Sequence, residues 1–280
     1  MPDPWFVTAF GAHYPALYAH RDEAEASRCL DLLPRLAPLE GAGPAAGLPL
    51  LDLGCGDGRH LVHLASLSVP VVGLDLSPQL LAGARRRLGS EGSASSAALV
   101  RGDMRRLPFG DDSLAGVLSL FTAFGYFGPL AANGGVVAEV GRVLAAGGHW
   151  FLDYFDAGQV RRELGTEGAP VTRARVVGPC AVTETRRLGP AAETVIKDVV
   201  LTPLPGREDE ADALGVGPAG LSYREQVALF GLDDLDSLAA VHHLERIAGA
   251  GGYEGEPLGG GSRWLLVYRR RDSGARGEDA

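Results

Sequence analysis

The sequence predicts an α/β fold: a doubly wound, mostly parallel seven-stranded sheet with helices on both faces. Between residues 48 and 156, short apolar runs of strand length alternate with helical stretches, and the connections are short. Such alternation calls for right-handed crossovers and a parallel sheet covered on both sides. Near residue 157 the pattern changes, and β-branched residues then alternate in part with charges. That change predicts a small antiparallel β insertion after the fifth strand.

The elements follow in order. Residues 5–36 read as helical, since "HRDEAEASRCLDLLPRL" sets Ala24, Leu30, Leu33 and Leu36 near helical spacing with acids early. The linker "GAGPAAGLP" closes this first unit, residues 1–47. Within 48–156, "LPLLDLG" and "PVVGLDL" read as strands around the helix "RHLVHLASL". "SPQLLAGARRRL" opens a helix with Ser77 at N-cap and Pro78 at N1. "AALVRGD" and "LAGVLSLF" are strands, "GVVAEVGRVL" is a helix ended by Gly147 and Gly148, and "HWFLDYF" is the fifth strand. The insertion, 157–220, contains "VTRARVVG", "CAVTETRRLG" and "ETVIKDVVLTPL". Residues 221–270 complete the core sheet, with "YREQVALFG" read as a short helix, "LAAVHHLERI" as a strand and "SRWLLVYRR" as the last strand. The polar stretch 271–280 is expected to be disordered.

Charge narrows the partners. The formal net charge is −9, and phosphate binding relies on clustered Lys and Arg, so DNA is excluded and RNA disfavoured. The basic residues are nearly all arginine, with Lys197 the only lysine, and "RRR" at 85–87 falls in the last turn of a helix where cations suit the dipole. Cys29, Cys55 and Cys180 are odd in number, far apart and without metal spacing, so they read as reduced thiols with no metal site. No apolar stretch reaches the ~20 residues of a membrane span, and "MPDPWFVTAF" lacks the pattern of a secretory signal. A cytoplasmic protein without a membrane partner is expected.

Four features fall at strand ends, where open parallel sheets bind ligands. Gly54, Gly56 and Gly58 follow the first strand, with Asp52 just before them; Asp75 ends the second; Gly102–Met104 ends the third; Ser119–Phe127 ends the fourth. The glycine loop alone fits either a plain turn or close backbone approach by a ligand. Asp75 lies 23 residues after Asp52 (75 − 52), the spacing of a ribose-binding carboxylate. The loop reads G-C-G-D-G, so the dinucleotide fingerprint G-x-G-x-x-G is missing. Asp103 can accept from an adenine amino group, and Leu76 and Met104 can sandwich the ring.

Together "LLDLGCGDGRH", "VVGLDLS", "RGDMRRLPF" and "FTAFGYF" resemble the S-adenosylmethionine-dependent class I methyltransferases of small-molecule type, over roughly residues 48–155. The resemblance implies a Rossmann-like core, S-adenosyl-L-methionine as cofactor and S-adenosyl-L-homocysteine as product. It implies that Asp52, Gly54, Cys55 and Gly56 surround the methionine part and Asp75 the ribose. Leu76 and Met104 then flank the adenine, Asp103 with Gly102 meets its amino edge, and Leu120 and Phe121 line the methyl-transfer side.

The fourth strand end has no Pro-Pro-Tyr-like turn, which argues against methylation of DNA amino groups and of glutamine. Phe10, Tyr14 and Tyr18 recur every four residues, and with His20 and Arg21 this segment resembles the N-terminal lid of many small-molecule methyltransferases. Arg21 would pair with the methionine carboxylate. Phe124, Tyr126, Tyr154 and Tyr253 are candidate acceptor walls; His13, His20, His149 and Tyr126 are candidate bases, none ranked first. His242 and His243, adjacent inside an apolar strand, take no role. The insertion resembles the substrate-cap or dimerising sheets of small-molecule N- and O-methyltransferases, which supports a small or peptide-like acceptor, methylated on N or O, and leaves a homodimer open. The alternatives are an RNA or protein methyltransferase and a non-catalytic nucleotide-binding module.

Overall fold

The computed structural model describes residues 4–19, 23–41, 43–90, 97–128, 130–165 and 169–272. In chain order the strands are β1 (Leu50–Leu53), β2 (Val71–Asp75), β3 (Ala97–Arg101), β4 (Leu114–Ser119), β5 (Leu144–Phe155), β6 (Val171–Val177), β7 (Cys180–Leu188), β8 (Thr194–Pro203), β9 (Leu221–Ala228), β10 (Leu244–Ala250) and β11 (Arg263–Arg270). The helices are α1 (Trp5–Ala9), α2 (Tyr14–Leu17), α3 (Glu23–Leu36), α4 (Arg59–Leu64), α5 (Pro78–Ser90), α6 (Leu130–Val143), α7 (Ala157–Leu164), α8 (Glu208–Ala213) and α9 (Leu232–Ala240).

Seven strands form one sheet in the order β10-β11-β5-β4-β1-β2-β3. The pairs β1–β2, β1–β4, β2–β3 and β4–β5 are parallel; β11 runs antiparallel to both β5 and β10. All four residues of β1 are buried, as expected where helices cover both faces. Period two divides the core: Leu51, Val117, Trp150 and Leu152 pack on the side of α6 and α9, while Leu50, Leu118 and Phe151 pack on the side of α3 and α4. Chain order reverses between β1 and β4, so the carboxyl ends of these two strands form the switch point where ligands enter such sheets.

The second sheet, β6-β7-β8-β9, is wholly antiparallel. Its last strand corrects the reading of "YREQVALFG" as a helix: β9 pairs with β8 from Leu221↔Leu201 to Ala228↔Thr194. Alternation of Tyr223, Glu225 and Val227 toward one face serves that ladder, and pairing decides where local propensity does not.

Other differences have local causes. The predicted helix over 5–36 is broken into α1, α2 and α3, the first break being a turn closed by Tyr14 N–H to Gly11 O at 3.1 Å. The helix expected to end at Gly147 and Gly148 ends at Val143, and β5 begins at once; Gly147 takes φ +79° inside an irregular stretch of the β4–β5 ladder. "LAAVHHLERI" is not one strand. α9 ends at Ala240, β10 begins at Leu244, and His242 and His243 sit in the turn between them. α7 and α8 were not anticipated, although Asp156 caps α7 by accepting from Gln159 N–H at 3.0 Å. Ser77 caps α5 as expected, accepting from Leu80 N–H at 3.2 Å.

Among the described residues no helix is long and apolar enough to cross a membrane, and the three cysteines are free and buried.

Candidate active site

The loop after β1 is fixed by backbone geometry. Gly54 and Cys55 both donate to Leu74 O, at 2.8 and 3.0 Å, which ties the loop to the end of β2. Gly54, Gly56 and Gly58 all have positive φ. Two of them differ in what their missing side chain allows. A Cβ on Gly58 would lie 2.9 Å from Ala84 Cβ, so that glycine lets α5 pack against the loop, whereas a Cβ on Gly56 meets nothing within 4 Å. Gly56 opens onto a cavity of about 510 Å³.

That cavity lies along the carboxyl ends of β1, β2, β3 and β4. Asp75 lines it and also ties the glycine loop down, its carboxylate accepting from Gly56 N–H at 2.9 Å and Ser77 N–H at 2.8 Å. Burial raises the Asp75 carboxyl above its ordinary range, and those N–H donors work against the rise. Gly54, Leu76, Gly102, Asp103 and Met104 lie along the same wall, and Leu120 and Phe121 close it on the β4 side. Asp103 is already engaged: its carboxylate takes Arg105's backbone N–H at 2.9 Å and its guanidinium at 2.6 Å.

Asp52 and Cys55 sit behind this wall. Asp52 is buried in β1, with Oδ2 left without a partner. Burial, and next the Asp75 carboxylate, pushes its carboxyl up to about 7. The Cys55 thiol turns into the core, where a Cβ on Gly73 would lie 2.9 Å from its sulfur, and burial raises its pKa.

The N-terminal segment forms the cavity's roof. Trp5 packs edge-on against Tyr126 at 5.4 Å and Phe6 against Phe127 at 5.6 Å, while Phe10, Tyr14 and Tyr18 form a continuous run of ring contacts. Their common stripe survives the break between α1 and α2 because the turn brings the rings back into register. Arg21 and His20 lie outside the described residues.

A second cavity, about 430 Å³, lies beyond this roof. Phe10, Tyr14, Phe121 and Tyr126 line both spaces, so these four side chains mark where the two cavities meet. Tyr18 lines the second one. Its far wall is one face of the four-stranded sheet, carrying Arg173, Arg175, Glu184, Arg186, Lys197 and Glu225. The register puts these residues on one face: Arg173 opposes Glu184, Arg186 opposes Lys197, and Lys197 opposes Glu225. Lys197 Nζ lies 2.6 Å from Glu225 and 4.0 Å from Glu184, and it contacts the Tyr18 hydroxyl; Arg175 reaches Glu184 at 3.4 Å.

Where the cavities meet, the backbone is unusual. Phe121 and Thr122 have φ +61° and +62°, a left-handed conformation that non-glycine residues seldom adopt. Asp153 holds them there: its carboxylate accepts from Phe121 N–H at 2.7 Å and its backbone carbonyl from Thr122 N–H at 2.9 Å. Arg263 pairs with the fully buried Asp153 at 2.8 Å and donates to Thr122 Oγ1 at 3.2 Å. Sequence reading passed over Asp153, Arg263, Lys197 and Glu225, since Lys197 and Glu225 lie 28 residues apart, Asp153 and Arg263 110, and Lys197 and Tyr18 179.

Of the candidate acceptor walls, Tyr126 lines both of these cavities. Phe124 and Tyr154 are fully buried, Phe124 against Trp150 and Phe230 and the Tyr154 hydroxyl on Ala228 O. The Tyr253 hydroxyl donates to Asp153 at 2.7 Å. Phe124 turns into the core because the strand-end loop runs inward at Ala123 and Phe124, both buried. His13 is buried against Tyr223, and burial lowers its pKa; His149 is buried at Pro38 O, and burial lowers its pKa too. Neither histidine lines either of these two cavities. Burial, with Tyr14 and Glu225 close by, pushes the Tyr126 phenol up.

Residues 50–148 match the family model described as a methyltransferase domain. Residues 50–148 therefore carry a methyltransferase domain. The chain is 33% identical over 147 residues to a dTDP-3-amino-3,4,6-trideoxy-alpha-D-glucopyranose N,N-dimethyltransferase of Streptomyces venezuelae, a match covering 50% of this chain and 56% of that enzyme. The match thus spans little more than half of that relative. A cypemycin N-terminal methyltransferase of a Streptomyces species is 29% identical over 234 residues, 81% of this chain and 85% of that enzyme. Among solved structures, the CcbJ methyltransferase from Streptomyces caelestis superposes with a TM-score of 0.71 at 18% identity, over 94% of this chain and 98% of that one, a likeness of fold.

The methyltransferase domain fits its cofactor by its own geometry. The cradle at Gly56 is one that a Cβ would fill, the Asp75 carboxylate stands beside it, and Leu76 and Met104 offer apolar flanks. Glycine at 56 leaves open space beside the loop backbone, which a side chain at that position would occupy.

Proposed function

We propose that the chain is an N-methyltransferase acting on the amine of a small-molecule acceptor. The observation that carries this reading is the pair of cavities meeting at Phe10, Tyr14, Phe121 and Tyr126. The first would take the cofactor, with Asp75 on the ribose, Leu76 and Met104 on the adenine and Leu120 and Phe121 toward the transferred methyl. When bound, S-adenosylmethionine supplies an already activated methyl group and leaves as S-adenosylhomocysteine. The chain's own task is to bring the acceptor nitrogen into line and to exclude water. Residues 1–47 serve as the lid unit and 157–220 as the substrate cap in this reading.

The second cavity indicates what the acceptor carries. Arg173 and Arg186 share the charged sheet face and have no carboxylate partner among the described residues. They suit an acceptor bearing a phosphate or carboxylate apart from its amine, as a nucleotide-linked amino sugar does. The similarity to the amino-sugar N,N-dimethyltransferase agrees with that chemistry. A peptide α-amine is the second reading, favoured by the similarity to the cypemycin N-terminal enzyme over 81% of the chain. The net charge of −9 keeps nucleic acid out of either reading, and a cytoplasmic setting suits its three free thiols.

Purified protein with isotope-labelled S-adenosylmethionine is to be offered dTDP-linked 3-amino sugars, peptides with free α-amines, and tRNA. Labelled mono- or dimethylamine product from the sugars is expected. Product from tRNA alone would refute the proposal.

A further inference from the structure

We propose that Glu225 is the group that receives the acceptor's ammonium and takes its proton before methyl transfer. The inference rests on the N-methylation reading and adds a catalytic residue to it.

Glu225 projects from β9 into the second cavity. One carboxylate oxygen, Oε2, is bound by Lys197 at 2.6 Å. The other, Oε1, is buried and has no hydrogen-bond partner, and a turn of the carboxylate about its last bond would present it to the cavity. An unpaired buried carboxylate oxygen is costly, and an N–H from a bound ligand would satisfy it. Its place is also right: Glu225 is near enough to Tyr126, one of the four side chains shared by both cavities, to influence that phenol.

An amine reaches the enzyme at neutral pH mostly as its ammonium, which has no lone pair to offer. In the proposed step one N–H bond breaks, the proton goes to Glu225 Oε1, and the bonding pair remains on nitrogen. Carboxylate and ammonium become a neutral carboxyl and a neutral amine, and the carboxyl later returns its proton to water. Several groups face Glu225. Lys197 from β8 and Arg186 from β7 favour its ionised form, Glu184 from β7 opposes it, and Tyr14, Tyr18, Tyr126 and, on its own strand, Tyr223 are neutral phenols nearby. Burial outweighs them and raises the Glu225 carboxyl, which makes it the stronger base.

The test compares Glu225→Gln with the parent, using a dTDP-linked 3-amino-3,6-dideoxy sugar as acceptor. At pH 7 the variant's kcat/KM should fall by roughly 10²-fold, the usual contribution of a positioned base. The loss should shrink about tenfold per pH unit as the free amine appears in solution. Calorimetry with S-adenosylhomocysteine should give unchanged affinity, while the parent's preference for the amino sugar over its 3-hydroxy counterpart should vanish in the variant. If Glu225→Gln fails to bind S-adenosylhomocysteine, the double variant Glu225→Gln with Lys197→Met, which removes one charge of each sign, is compared with Lys197→Met alone. A variant indistinguishable from an active parent in rate, pH profile and amine preference would overturn the role of Glu225 alone. A parent that binds S-adenosylhomocysteine yet methylates no amine would overturn the N-methylation reading beneath it.

Discussion

At the scale of single residues, Asp75 and Gly56 do two jobs with one contact. The hydrogen bond between them shapes the loop, and both line the larger cavity. Asp75→Ala should weaken S-adenosylhomocysteine binding by ~1.5–3 kcal/mol, the range for losing charge-assisted hydrogen bonds. Asp75→Asn keeps an acceptor for Gly56 N–H but sets its amide nitrogen against Ser77 N–H, so a fall in affinity by calorimetry reports the ribose contact where the variant's thermal stability is unchanged. Gly56→Val places a β-branched residue at φ +57° and fills space that holds no other atom within 4 Å. Its backbone strain is of order 1–2 kcal/mol, and its loss of ligand binding should exceed its loss of stability; normal binding by this variant would return the loop to a plain turn. The sequence reading could reach these two residues because loop, acid and spacing lie within one short stretch. It could not reach Glu225, whose meaning depends on Lys197 in the neighbouring strand, nor could it tell that Phe124 and Tyr154 turn into the core.

At the scale of elements, the parallel strands were legible because each is a buried apolar run ending in a polar or glycine signal. The short elements were not. β9 and the α9–β10 junction are governed by pairing with β8 and β11, which no local pattern encodes. The N-terminal segment has a specific position: Ala9 and Leu17 are buried against the four-stranded sheet, and Arg175 donates to Leu17 O at 3.2 Å. It therefore bridges the four-stranded sheet and the larger cavity, with short helices and few backbone bonds to hold it. Elements of this kind open at the low end of a fold's stability range. Amides between Thr8 and Ala19 should gain hydrogen-exchange protection when S-adenosylhomocysteine is added, and deletion of residues 1–21 should reduce turnover far more than thermal stability. Equal exchange with and without ligand would show the segment to be docked permanently.

At the scale of the whole molecule, buried titratable groups set opposing pH dependences. Asp52 has its carboxyl pushed up to about 7, and His60, on the following helix, has its imidazole pushed down to about 3, both mainly by burial. Between pH 3.8 and 7 the native chain keeps a proton on Asp52 that the unfolded chain releases, so this group makes stability fall as pH rises. For His60 the unfolded chain binds the extra proton between about pH 3 and 6.5, so this group makes stability rise over nearly the same window. Each slope is at most about 1.4 kcal/mol per pH unit, and across the shared window they oppose one another. Asp75 and Glu225 add to the Asp52 side, while His13 and His149 add to the His60 side. The parent should therefore show a shallow profile that conceals the Asp52 contribution. Asp52→Asn removes that contribution alone. Urea denaturation at several pH values should find the variant's stability, relative to the parent's, increasing from about pH 4 to 7 and level above that. A difference that does not change with pH would mean that Asp52 is ionised in the native chain, and its orphaned oxygen would then need a cation or donor brought by the ligand or by water.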